Sequence, residues 1–296
     1  MDADARAERR ARRVMRRMDR EAARYARRTR RRRSGAGGVL LLLLGVVGVA
    51  GAAAGVAGVS LRDWFEPRAY VSIDGRALGI PEPEPATGRL LPAVPVTTDG
   101  AYAFLHTDEL GRPVGYDPCR PVRYVVRPDG MPFGGQAVID EAVAVVGAAT
   151  GLVLEYAGTT DEAPAVERAL IQPERYGDSW APVLVAWSDE ATIPELAGEV
   201  AGVGGSAAVP GADGRGQWLA GGRVVLDVAD IATMLAQSGG HERVRALVVH
   251  ELAHVLGLDH VDDPTELMYP VSASRTDLGP GDRAGLALVG QVACEE

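Results

Sequence analysis

The chain has 296 residues, 47% of them hydrophobic, and a net charge of −9, which suits one catalytic-sized domain with attachments rather than two full domains. The charge is unevenly spread: residues 1–34 hold 15 arginines against 5 acidic residues, a net of +10, leaving −19 on the remainder. An acidic body of that size repels phosphates, so nucleic acid is excluded as a partner and the arginine block needs another explanation.

The next segment supplies one. From Gly35 to Val59 there are 25 residues without a charge, centred on the run Val39–Leu44. About 20 apolar residues cross the hydrocarbon core of a bilayer. Arginines at one end of such a span keep that end cytoplasmic and are drawn to anionic headgroups. The reading is therefore an Arg-rich cytoplasmic segment over residues 1–34, then a transmembrane signal-anchor over 35–59, with everything after it outside the cell. A cleaved secretory signal is the alternative, because Ala52–Ala54 and Gly55–Ala57 offer small-residue cleavage sites, and it would release the protein. Residues 60–100 carry Pro81, Pro83, Pro85, Pro92 and Pro95 and read as a Pro-rich stalk, with Tyr70–Ile73 as a short strand inside it.

Residues 101–296 read as an α/β (α+β) catalytic domain. Val122–Val126 is a strand. Gly135–Ala149 carries helical spacing through Val138, Ile139, Ala142, Val145 and Val146. Leu152–Tyr156, Val183–Trp187 and Arg223–Asp227 are further strands. Gly202–Ala208 is either an edge strand, whose small residues let a second backbone approach, or a flexible glycine-rich loop. A helix is expected from near Glu242, buried through Val244, Val248, Leu252 and Val255, and a last one from near Pro280. Cys119 and Cys294 sit near the two ends of the domain. Outside the cell an even pair reads as one disulfide, closing a loop of about 175 residues. The other reading has Cys119 capping a metal as an inhibitory thiolate.

The metal comes from His250-Glu251-Leu252-Ala253-His254-Val255-Leu256-Gly257-Leu258-Asp259-His260. At 3.6 residues per turn, His250 and His254 leave one face of a helix one turn apart and can reach a single ion. Gly257 tolerates the positive φ that ends a helix, so the chain can turn and bring His260 back as a third ligand. Three protein ligands with a fourth position open describe a catalytic zinc rather than a structural one. Glu251, beside the first ligand, is placed as the general base.

This HExxHxxGxxH pattern resembles that of metzincin metallopeptidases. Met268 stands eight residues after His260, and Glu266-Leu267-Met268-Tyr269-Pro270 around it resembles their methionine turn, in the wording of the matrixin branch. Pro270 stands where other branches carry a tyrosine that approaches the zinc. Tyr116–Val126 and Ala148–Leu152 are similar to the opening of bacterial matrixin-like domains. The chain departs from animal matrixins at Val261, where they have a serine. It also lacks the histidine-rich structural zinc segment, with only His106 and His241 outside the motif, and an activation peptide of the Pro-Arg-Cys-Gly type.

The resemblance implies a zincin-like fold, with a twisted mixed sheet above, the zinc helix below the active-site cleft, and Met268 in a Met-turn. It implies one catalytic Zn2+, with calcium unassigned, and a monomer hydrolysing peptide bonds by metal-activated water. The competing functions are a membrane-anchored, catalytically silent scaffold and a zinc hydrolase of a non-peptide amide.

Overall fold

The computed structural model describes residues 70–73, 76–270 and 275–295. The arginine block and the apolar span at 35–59 lie outside the described residues. Within them, no helix is long and apolar enough to cross a membrane.

A five-stranded sheet organises the domain. Its strands are β4 (Val122–Val126), β5 (Leu154–Thr159), β6 (Val183–Ser188), β7 (Gly202–Pro210) and β8 (Gln217–Asp227), in the order β5-β4-β6-β8-β7. The first four are mutually parallel, and β7 closes one edge antiparallel to β8. Parallel strands need a crossover, which β4 and β5 obtain from α1 (Gly135–Thr150). Two short pairs lie outside this sheet: β1 (Tyr70–Ile73) with β2 (Arg76–Gly79), and β3 (Ala103–Phe104) with β9 (Leu258–Asp259). The remaining α-helices among the described residues are α2 (Pro173–Tyr176), α3 (Val228–Leu235), α4 (Gly240–Leu256) and α5 (Pro280–Val289).

Successive residues of a strand face opposite ways, and the core divides accordingly. Val122, Tyr124 and Val126 of β4, Val183, Val185 and Trp187 of β6, and Val224 and Leu226 of β8 join the main cluster with α1, α4 and α5. The residues between them face the other way. Val125, Leu184 and Ala186 pack with Tyr176, and Val225 packs with Ile193 and Leu196, under the segment 160–201. Both faces are thus covered, as a mostly parallel sheet requires.

Three expectations are adjusted. Gly202–Ala208 is a strand, so the flexible-loop alternative falls. The strand expected at Leu152–Tyr156 runs instead over Leu154–Thr159, because Gly151 ends α1 in the left-handed conformation and Leu152 is spent filling the core below the turn. The zinc-motif helix starts at Gly240, two residues before Glu242, with the left-handed Gly239 ahead of it.

The proline-rich stretch after Ile80 is not free-standing: it lies along the domain as a strap. Leu90 N–H donates to the Pro118 carbonyl (3.1 Å), Arg89 reaches the Gly290 carbonyl (2.8 Å) and Thr98 the Pro280 carbonyl (2.7 Å). Gln291 donates to the Val94 carbonyl (2.8 Å), and Glu84 pairs with Arg123 (2.9 Å). Beneath it Cys119 and Cys294 form the expected disulfide, with Cα atoms 5.6 Å apart across 175 residues of sequence. That pairing removes the thiolate-cap alternative.

Candidate metal centre

Helix α4 builds the site in one stroke. Its apolar side, Val244, Val248, Leu252 and Val255, is 1–2% exposed and anchors it to the core. His250 and His254 leave a different face of the helix, one turn apart. Gly257 then takes φ 114° and sends its N–H back to the Ala253 and His254 carbonyls, ending the helix as expected. β9 follows at once, pairs with β3, and carries the chain to His260.

The three histidines meet. Each of the three Nε2–Nε2 separations is 3.1 Å. Ligands at a tetrahedral zinc with Zn–N near 2.0–2.1 Å stand about 3.3 Å apart, so the triangle is of the right size. The protons are also placed for metal binding. His250 Nδ1 lies 2.7 Å from the Leu267 carbonyl and His254 Nδ1 lies 2.8 Å from the Leu258 carbonyl. A carbonyl only accepts, so in both rings Nδ1 is the donor and the Nε2 lone pair is turned inward. Burial holds His254 well below the ordinary histidine value, and His260 and His250 beside it push the same way. His250 is lowered too, again chiefly by burial. Converging lone pairs on rings that resist protonation are mutually repulsive until a cation joins them, so the donor set fits Zn2+.

The Glu251 side chain lies against β7. It is 5% exposed and lies under β7, whose backbone passes so close that a Cβ on Gly204 would sit 2.3 Å from the Glu251 carbonyl oxygen. Only glycine fits there, which accounts for the glycine-rich wording of the strand. Burial pushes the Glu251 carboxyl up to about 8, against a lowering contribution from the Gly204 amide.

Two buried carboxylates that the sequence reading did not single out hold the site from behind. Asp282, at the third position of α5, accepts from the amides of Leu267 (2.6 Å), Met268 (3.2 Å) and Gly279 (2.7 Å). Glu266 accepts in return from Gly281 (2.9 Å) and Asp282 (3.0 Å) at the start of the same helix. The peptide that Asp282 grips is the one whose carbonyl orients His250, so this clamp is an outer support of the ligand. A signal was available: Gly279-Pro280-Gly281-Asp282 has the proline-then-acid pattern of a helix start. Met268 is 1% exposed, and its carbonyl accepts from Val261 N–H (3.1 Å), which ties the segment to the residue after His260.

Of the residues expected to act together, His250, His254 and His260 converge, and they alone form a ligand cluster outside the cystine region among the described residues. His241 does not join them and pairs with Glu141 at 3.0 Å. Cys119 and Cys294 belong to the disulfide.

Comparison with known proteins agrees with this geometry. Residues 198–288, from just before β7 to the end of α5, match the sequence model of the Matrixin family. A stretch of 70 residues, 23% of the chain, is 39% identical to a protein of Invertebrate iridescent virus 3 described as "Probable matrix metalloproteinase 095L". The match covers 19% of that relative's own length. The chain therefore carries a matrixin-like domain, with its histidine triad inside the matched region.

Proposed function

We propose that this domain is a zinc-dependent endopeptidase of the EC 3.4.24 type. The observation that carries the reading is the convergence of three histidine Nε2 atoms 3.1 Å apart, with the carboxylate next in sequence to the first of them buried under the edge strand of a sheet. His250, His254 and His260 hold the metal, and Glu251 is the catalytic base. Bound zinc supplies a Lewis acid for the scissile carbonyl and lowers the pKa of water toward ~7. Glu251 takes the proton of the attacking water and returns it to the departing amine. Its burial prepares it for both jobs, since a carboxyl pushed upward and then drawn down by a neighbouring cation exchanges protons near neutral pH. The free edge of β7 receives the substrate as an added strand, and the turn holding Met268 lies below the ligands as a Met-turn. On the charge argument, residues 35–59 anchor the domain in a membrane, residues 1–34 stay cytoplasmic, and the protein acts outside the cell as a monomer.

The test separates metal binding from chemistry. The purified protein should hold one zinc per chain and cleave peptides. His254→Ala should lose most of the metal. Glu251→Ala should keep it while cleavage falls 10²–10⁴-fold, the usual cost of a lost general base. Stoichiometric zinc in a variant lacking both His250 and His254 would overturn the ligand assignment. Unchanged cleavage by Glu251→Ala would overturn the mechanism.

A further inference from the structure

The geometry points to a closed end on the substrate-binding edge: the segment 103–114, pinned through His106, limits an extended peptide to about two residues on one side of the scissile bond. This rests on the peptidase reading above and adds to it which subsites the enzyme has.

Strand addition needs an uninterrupted row of backbone acceptors and donors. Along β7 that row is interrupted at Ser206. The pairing with β8 slips between Gly205 and Ala207, where the two β8 residues Gly221 and Gly222 stand opposite the single residue Ser206. Its side chain turns inward, where Oγ donates to the Val255 carbonyl of α4 (2.8 Å) and lies 2.8 Å from the Tyr116 hydroxyl. Burial pushes that phenol up to about 12, so it keeps its proton. Ser206 is therefore locked from below. The Ser206 carbonyl meets His106 Nε2 at 3.3 Å. Because a carbonyl only accepts, the imidazole is the donor, in the role a substrate amide would otherwise have.

His106 belongs to a segment bonded to both rims. Below, Ala103 and Phe104 pair with Asp259 and Leu258, and Leu105 N–H donates to the Gly257 carbonyl (2.9 Å), all on the stretch leading to His260. Above, His106 reaches β7. The chain then doubles back through Asp108 N–H to the Arg112 carbonyl (2.9 Å) and Val114 N–H to the His106 carbonyl (3.0 Å). The Asp108 carboxylate braces the tip through the amides of Leu110 (2.8 Å) and Arg112 (2.9 Å). A backbone so tied to floor and roof is a wall. From Gly204, above Glu251, to Ser206 is two strand steps, about 6.8 Å, which leaves room for about two peptide residues. A peptide lying antiparallel to β7 is short on its N-terminal side, and one lying parallel is short on its C-terminal side.

The test is a cleavage profile of the zinc-loaded protein on a peptide library of mixed sequence. Sequence preference should end after about two positions on one side of the cut and extend further on the other. His106→Ala should lengthen the short side. The ratio of kcat/KM for peptides extended to four residues there over those cut to two should rise several-fold. His106→Gln, which keeps a donor, should stay near wild type. A wild-type profile of equal reach on both sides overturns the wall without any variant, as does an unchanged ratio in a folded, zinc-loaded His106→Ala. A zinc-loaded wild-type protein that cleaves nothing overturns the peptidase reading itself, a result distinct from a symmetric profile.

Discussion

The two faces of the sheet bury polar groups in opposite ways. On the outer face Glu162 and Arg168, 6% and 5% exposed, form a two-pronged pair at 2.7 and 2.8 Å. Gln172 and Tyr176 take up further lone pairs of Glu162 at 2.7 Å each, and Arg168 also donates to the Gly222 carbonyl. Nearby, Arg223 faces Glu195 at 3.6 Å. Every charge there meets its opposite. On the helix side, three imidazoles turn Nε2 atoms toward one another, and Glu251 is buried with the Gly204 amide for company. Burial of a matched pair costs roughly what its attraction returns. Burial of like groups facing one another is sustained only if something else arrives to satisfy them. The first arrangement builds a lid over the sheet, and the second builds a reaction centre.

The comparison predicts which side breaks the fold and which breaks only the chemistry. Glu162→Ala leaves Arg168 buried and unpaired and should cost about 3–5 kcal/mol in denaturant unfolding, with zinc still bound by the folded fraction. Adding Arg168→Met should restore much of that loss. If Glu162→Ala unfolds like wild type, the lid charges are not matched in the way described. Asp282→Asn acts on the other side at one remove, by weakening the peptide that orients His250. Zinc affinity should fall about 10–100-fold, measured by competition with a chelator, while the ligands themselves are untouched. An affinity equal to wild type would show that the clamp supports the helix alone.

The smallest expected effect is in acid. Burial opposes ionisation of Glu162, but the Arg168, Gln172 and Tyr176 contacts outweigh it and hold the group below its ordinary value. A depressed carboxyl contributes stability that is fully present above its unfolded pKa, about 4.3. That contribution is lost as pH falls through the lower folded value. Wild type should therefore lose more stability than Glu162→Gln on acidification below about pH 4.3, and the two should run parallel above it. Equal acid sensitivity would remove Glu162 from the account.

Legibility in the sequence tracks the range of the interactions. The histidine triad was legible because one helical turn and one glycine set its geometry within eleven consecutive residues. The strands with alternating faces were legible for the same reason. The outer support was not, since Asp282 acts on the amides of Leu267 and Met268, and His106 on the carbonyl of Ser206. Backbone groups carry no residue-type signature. Gly202–Ala208 read equally as strand or loop because glycine satisfies both, and only the approach of the Glu251 backbone to Gly204 distinguishes them. The prolines after Ile80 suggest an extended chain but not where it lies, because Arg89 and Thr98 donate to the carbonyls of Gly290 and Pro280, and Gln291 donates to that of Val94, all across a long separation in sequence.

That strap also sets how the domain bears a load. A pull arriving from the N-terminal side is taken up first by the bonds from Arg89, Leu90 and Thr98, which lie in series ahead of Cys119. They can peel one after another without disturbing the sheet. Beyond them the chain enters a covalent ring closed by Cys294, and β4 through α5, with the entire histidine triad, lies inside it. Tension that strips the strap next loads β3 and Leu105, which are bonded to the stretch before His260, and stops at the cystine, so that short pairing is the last element the pull can strip before the ring.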